Sequence, residues 1–408
     1  MSKVNKLFVN QNSEYSEVYQ CFRFGMRMCR WAGFFPVEGL DKPTISGLRY
    51  NLKGFYIIYY VATIVVGSLS AILTFLWLLE NDLTLITVSD CIFSMTGFFS
   101  MFMMAGMARD WPVFMRKMTE IEHHLQEIRT SKNTITCCNI MTSSVMIAAL
   151  VEHVLSVIYI IYLTKQCMSS STELYEILME YFVVIAPYYL QHLPYNHVAG
   201  FIFKIVNIQV TFLWSFTDVL IICFSIYLIS YFQDLNKVIN KRRNDSSWEQ
   251  LRVHYSRVEE LVMQVNEQLR LIILQSFVTY IFYICTQLFH TLKTSQSRLI
   301  DCDKDKVDII RHSPEYLTYY VFSFVFLVLR FVVTSLLAAN VSLVAKKPLT
   351  ALDLVPSSEY GLEVRRFRLQ IEYTPVAMSG LFFYVTRPML LQVVGSIITY
   401  ELVMLQLH

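Results

Sequence analysis

Acids, amides and aromatic rings stand in this sequence where only apolar side chains would be expected. Asp90, Glu152 with His153, Trp214 with Asp218, Tyr283 with Gln287 and His290, and Tyr319 with Tyr320 all fall inside long apolar stretches. An ionisable group at membrane depth is costly and faces a cavity or a partner. Carboxylates and amides accept from or donate to hydroxyls, and rings lie against apolar C–H faces. Together the set suits a neutral, hydroxyl-rich ligand. A plainer reading stands beside it. Tyr and Trp collect at membrane interfaces whatever the ligand. Histidines such as His153 and His290 are more often satisfied in a core, and Asp218 could pair with Lys204 or Arg330 inside the bundle. A second pattern lies near the C-terminus. Ser396, Thr399, Val403 and Gln406 step by three, four and three, which places them on one helix face. Copies of that face about an axis would line a pore with hydroxyls, a valine collar and a ring of amides. The plainer alternative is that Gln406 meets the outer headgroups.

The elements that must position these groups follow from composition. Of 408 residues 55% are hydrophobic and 16% charged, against roughly a quarter charged in a soluble domain. The chain reads as an integral membrane protein, all-α and polytopic. A span needs about 20 mainly apolar residues, and seven stretches qualify: 55–79, 83–108, 137–164, 201–231, 271–292, 317–345 and 377–408. Counted over alternate connections, one side collects 24 Lys and Arg and the other 6. The richer side is cytosolic, so the N-terminus is expected inside and the C-terminus outside. No secretory signal precedes the first span, which is left to do the targeting. With helix two entering from outside, Asp90 lies about 10 Å down at 1.5 Å per residue. The remaining acids, amides and rings converge on the same outer half.

The polar segment 232–270 carries Val258, Leu261, Val262 and Val265 at helical spacing. It is expected to continue two membrane helices into the cytosol, as 109–136 extends another. Three regions result: a cytosolic segment 1–54, the six-helix body 55–345, and 346–408. In the last region Arg387 and Pro388 mark a break between a cytosolic half-helix, 377–386, and a final span. The nine cysteines include Cys91, Cys137, Cys138, Cys223 and Cys285 in or beside apolar runs, as small buried hydrophobes. Cys167 and Cys302 lie in connections placed outside, where a disulfide is an option. There is no metal-ligand spacing, phosphate loop or nucleophile elbow, so no enzyme, cofactor or metal is expected. The net charge of +2 gives no reason to expect nucleic acid.

Seven helices with the N-terminus inside invert the G-protein-coupled receptor topology. The layout instead resembles the insect chemoreceptors. Gustatory receptors of that superfamily carry Thr-Tyr, five mostly apolar residues and Gln-Phe in helix seven. Here Thr399 and Tyr400 are followed by Glu401 to Leu405 and Gln406, with Leu407 in place of Phe. "WAGFFPVEGL" (31–40) and "TFLWSFTDVLIICFSIYL" (211–228) look like the sugar-receptor branch, as does "GSIITYELVMLQ". The resemblance implies a ligand-gated, non-selective cation channel for taste in the plasma membrane of sensory neurons. It implies homotetramers or heterotetramers with related receptors, helix seven around a cation pore, and a sugar pocket among helices two to six of each subunit. The cytosolic extensions of helices four to seven would anchor subunit to subunit, with membrane lipid around the whole. The alternatives are a receptor or co-receptor subunit for another tastant or odorant, and a seven-helix transporter.

Overall fold

The computed structural model describes residues 16–167, 174–194, 196–241, 247–292, 310 and 312–406. Twelve helices are described: α1 (Glu17–Trp31), α2 (Phe55–Glu80), α3 (Leu85–His123), α4 (Thr134–Cys167), α5 (Leu174–Ile185), α6 (Pro187–Leu190), α7 (His197–Lys241), α8 (Trp248–Leu292), α9 (Pro314–Ala345), α10 (Pro348–Asp353), α11 (Leu362–Tyr373) and α12 (Arg387–Gln406). Six of them, α2, α3, α4, α7, α8 and α9, are long and apolar enough to cross a membrane. The chain is an all-α polytopic membrane protein. Among the described residues one two-stranded pair, β1 (Val37–Glu38) and β2 (Arg49–Tyr50), is antiparallel with Val37 opposite Tyr50.

Two helices set the radial order. In the most apolar window of α7, 83% of residues are buried within the protomer, whereas in α4 only 11% are. An apolar helix that buries little of itself leaves its side chains for lipid, so α7 is the axis of the bundle and α4 its rim. Close approach around α7 needs a small residue: a Cβ added to Gly97 of α3 would lie 2.6 Å from a methyl of Val210.

The helix ends show why the spans begin where they do. Thr84 and Thr87 form a reciprocal capping box at the start of α3. Ser313 caps α9, with Pro314 in its first turn. Helix α1 has a more distant cap. Its own Ser16 accepts from the N–H of Tyr19, while buried Glu122 of α3 accepts from the N–H groups of Glu17 at 3.0 Å and Val18 at 2.8 Å. Glu122 also accepts from the hydroxyls of Ser16 and Tyr227. The carboxylate thus ties the N-terminal helix to α3 and α7. Tyr19, outside the spans, donates to the Lys42 carbonyl at 2.9 Å. Burial pushes its pKa up to about 12, so it stays a neutral donor.

As the 232–270 pattern requires, α7 runs on to Lys241 and α8 starts at Trp248. Val258, Leu261, Val262 and Val265 are buried within the protomer, so the stripe is core. The connection between α4 and α7 holds two further helices, α5 and α6. The region 377–386, expected as a half-helix, differs. It is a tight reversal in which Ser379 pairs with Tyr384 and the Val385 N–H donates to Met378 O at 2.8 Å. Asn266 of α8 brackets it, donating to Ala377 O and accepting from Ser379 N–H. Pro388 does mark the break, as the second residue of α12, but what precedes it is no half-helix. Cys302 and the side chain of Cys167 lie outside the described residues.

Candidate functional site

On the side where α3 begins and α4 ends, five long helices enclose a cavity of about 240 Å³. Ser89 and Asp90 enter from α3, Glu152 and His153 from α4, Lys204, Asn207, Thr211 and Trp214 from α7, Tyr283 and Gln287 from α8, and Tyr319 and Ser323 from α9. Ile185 and Tyr188, on α5 and α6, complete the wall. Each of these five long helices therefore contributes at least one hydrogen-bonding group, and α2 contributes none.

The polar wall is braced. Ser323 donates to Glu152 at 2.5 Å and accepts from the Gln287 amide at 3.4 Å, linking α4, α9 and α8. Tyr283 donates to the Ser89 carbonyl at 3.2 Å, tying α8 to α3. His153 Nε2 is buried without a hydrogen-bond partner among the described residues. Lys204 lies over the Tyr181 ring, 5.7 Å from its centroid. The aromatic wall is ordered as well. Trp214 packs tilted on Tyr283 at 5.1 Å, and Tyr319 stacks on Tyr159 at 5.4 Å with planes 13° apart. The arrangement offers carboxylate, amide, imidazole and hydroxyl groups next to flat apolar faces.

Asp90, Glu152, His153, Trp214, Tyr283, Gln287 and Tyr319 come together around this cavity. Asp218 and Tyr320 do not line it. Asp218, 1% exposed, is paired with Arg330, whose Nε donates at 2.9 Å and whose terminal nitrogen donates to the same oxygen. The reason is electrostatic: in a medium that cannot hydrate either ion, each is the other's best partner. The guanidinium also sits 4.9 Å from the Trp214 centroid, so the pair forms a layer beneath the ring that lines the cavity. Tyr320 stacks on Tyr316 and donates to the Gln287 carbonyl. The side chain of His290 lies outside the described residues. Ser89, Ser156, Asn207 and Thr211 were not singled out by sequence. Small polar residues in spans usually bond their own helix, as Thr211 does to Asn207 O at 2.9 Å, so type alone does not mark them.

Helix α12 has two faces. Leu390, Val393, Ile397 and Glu401 are buried. Ser396, Thr399, Val403 and Gln406 are exposed on the single chain, and the hydroxyls of Ser396 and Thr399 bond back to carbonyls four residues earlier. Neither carboxylate oxygen of Glu401 has a hydrogen-bond partner among the described residues.

A helical membrane bundle with a ligand-sized chamber between its spans has the build of a receptor. The comparisons with known proteins are specific. The family described as "Trehalose receptor" matches residues 2–408, and the chain belongs to it, among the insect gustatory receptors. It is 25% identical over 398 residues to the Drosophila melanogaster "Gustatory receptor 5a for trehalose", covering 91% of this chain and 81% of that one. Over 382 residues it is 25% identical to the "Gustatory receptor for sugar taste 64f" of the same fly, covering 91% and 77%. The fold is similar to that of the insect olfactory receptor OR5 from Machilis hrabei, with a TM-score of 0.69 at 13% identity, covering 95% of this chain and 98% of that one. The resemblance read from "GSIITYELVMLQ" is therefore borne out, and the protein is a receptor rather than an enzyme.

Proposed function

We propose that this protein is a sugar-gated, non-selective cation channel of the plasma membrane of taste neurons. One observation carries the reading. A cavity lined by Asp90, Glu152 and Gln287 and by Trp214 and Tyr319 supplies hydrogen-bond partners and stacking faces together. That is what a pyranose needs. The names of the fly relatives, for trehalose and for sugar taste, support the same ligand class.

In this reading four copies, identical or from related receptors, meet around α12, and cations pass along Ser396, Thr399, Val403 and Gln406. Helix α8 is the physical link. It presents Tyr283 and Gln287 to the cavity and is also the helix against which α12 packs most extensively. A sugar that draws on Gln287 or Tyr283 would shift α8 and, with it, α12. The valine collar is an apolar constriction of the kind that gates by dewetting.

The test is current. Cells expressing this chain alone, with G-protein signalling blocked, are exposed to a panel of mono- and disaccharides. Inward cation current within milliseconds of one or more sugars is expected. Responses abolished by the G-protein block would overturn the channel reading. Current evoked only by non-sugar tastants would overturn the ligand class.

A further inference from the structure

A second cavity, of about 410 Å³, lies at the other end of the bundle between the foot of α4, α7 and α9. Its level follows from the helices it shares with the outer cavity. Thr134 is eighteen residues from Glu152 along α4, Gln233 nineteen from Trp214 along α7, and Asn340 seventeen from Ser323 along α9. At 1.5 Å per residue the two cavities are roughly 25–28 Å apart. With the first already inside a hydrocarbon core about 30 Å thick, the second lies at the opposite headgroup layer. The Lys and Arg asymmetry makes that the cytosolic leaflet.

The lining is divided by chemistry. Asn133, Gln233 and Asn340 bring amides, Lys132 an ammonium, and Ile226 and Leu337 apolar surface. Two acids close by already have partners. Asp234 is paired with both Arg129 and Lys237, and Glu17 with Arg129. Ser131 spends its N–H and hydroxyl on Asp234. Lys132, exposed, makes no ion pair among the described residues and places a positive charge at the rim. The cavity also continues into lipid. Stepping by three and four along α4 from Cys137, which lines it, leads to Ile140, Ser144 and Ile147 on one face. Ile140 and Ile147 are 57% and 62% exposed, on the helix that buries least of itself in the protomer.

We propose that this cavity holds an anionic glycerophospholipid of the cytosolic leaflet. Its phosphate meets Lys132, its headgroup and ester carbonyls meet the three amides, and its acyl chains leave along Ile140 and Ile147. A polar head and an apolar tail in that order, with a cation at the polar end, match this class and not a soluble anion, which has no use for the α4 stripe. Bound there, the lipid bridges α4, α7 and α9, the three helices that also hold Glu152, Trp214 and Ser323 in the outer cavity.

The test uses the full-length protein purified in a neutral detergent. Native mass spectrometry and thermal melting are recorded with phosphatidylserine, phosphatidylcholine or inorganic phosphate, for the parent and for Lys132→Ala, Lys132→Arg and Asn340→Phe. Phosphatidylserine is expected to stay bound and raise the melting temperature more than phosphatidylcholine. Lys132→Ala should weaken that preference about fivefold, the factor one Lys contributes at an anionic membrane surface, and Lys132→Arg should keep it. Asn340→Phe, which fills the cavity, should abolish binding of both lipids; if it does not fold, the two Lys132 variants decide. Equal effects of the two lipids, an unchanged preference in Lys132→Ala, or the same stabilisation by inorganic phosphate alone would overturn the proposal.

Discussion

Replacing Asp218 by Asn tests what the ion pair beneath the outer cavity is for. The carboxylate is 1% exposed and the guanidinium of Arg330 3%, and the two form two hydrogen bonds. Asn keeps the shape and removes the charge, leaving Arg330 with Ser215 at 3.3 Å and the Trp214 and Phe326 rings. Breaking a buried pair from one side costs about 3–5 kcal/mol, because an uncompensated charge remains. That is a large share of the 5–15 kcal/mol typical of a whole domain. Asp218→Asn should therefore lose surface protein, measured by biotinylation of intact cells, and melt earlier in detergent. Removing both charges with apolar groups of similar volume, Asp218→Leu with Arg330→Met, is often close to neutral and should recover most of the loss. The reasoning fails if Asp218→Asn reaches the surface at parental levels and only raises the half-maximal sugar concentration. In that case Asp218 meets ligand directly. It fails equally if the double variant is no better than the single.

Further outcomes follow from the same geometry. Glu152→Gln removes a charge-assisted acceptor worth about 1.5–3 kcal/mol; the half-maximal sugar concentration should rise at least about tenfold at unchanged surface level, and an unaltered dose–response curve would remove Glu152 from the ligand's contacts. Gln406→Ala should change basal current, ion selectivity or gating, and the thiol of Gln406→Cys should be modified from outside with a change in current; labelling without any electrical effect would take this residue out of the pore. A tag after His408 should stain on intact cells and a tag before Met1 only after permeabilisation; the reverse pattern would invalidate the charge-based orientation.

What the sequence made legible depended on what hydropathy can mark. The spans were visible because apolar length is a strong signal, and the helical start of α8 because Val258, Leu261 and Val265 repeat at helical spacing. Asp90 and Glu152 stood out because a carboxylate in an apolar run demands an account. Helix rotation was harder to see. Along α4 the polar residues Thr142, Ser144, Glu152 and His153 fall on more than one face, so the pattern alone did not single out Ser156 for the cavity. Asp218 was flagged for the right reason, its charge. Which of Lys204 and Arg330 would reach it depended on the packing of α9 on α7, which pairs residues 112 positions apart. The reversal at 377–386 was misread because Val376, Ala377 and Met378 extend the apolar count toward α12. They are buried, but as the seat of a turn held by Asn266. Sequence offered no sign of that long-range clamp.

The cap that Glu122 places on α1 has a consequence for the order of synthesis. The helix is fifteen residues long, and a helix of that length is marginal in water without tertiary support. Its carboxylate partner is 104 residues further along. At roughly 5–20 residues per second of translation, that is about 5–20 seconds in which Phe22 and Met26, later buried to 3% and 0%, have no core to enter. During that interval α2 and α3 emerge while α1 is without its cap. Protease protection of α1, followed on stalled nascent chains of increasing length, should appear only once Glu122 has cleared the ribosome, and later still if Tyr227 is needed to hold the carboxylate. Protection at shorter lengths would show that α1 stands without its cap.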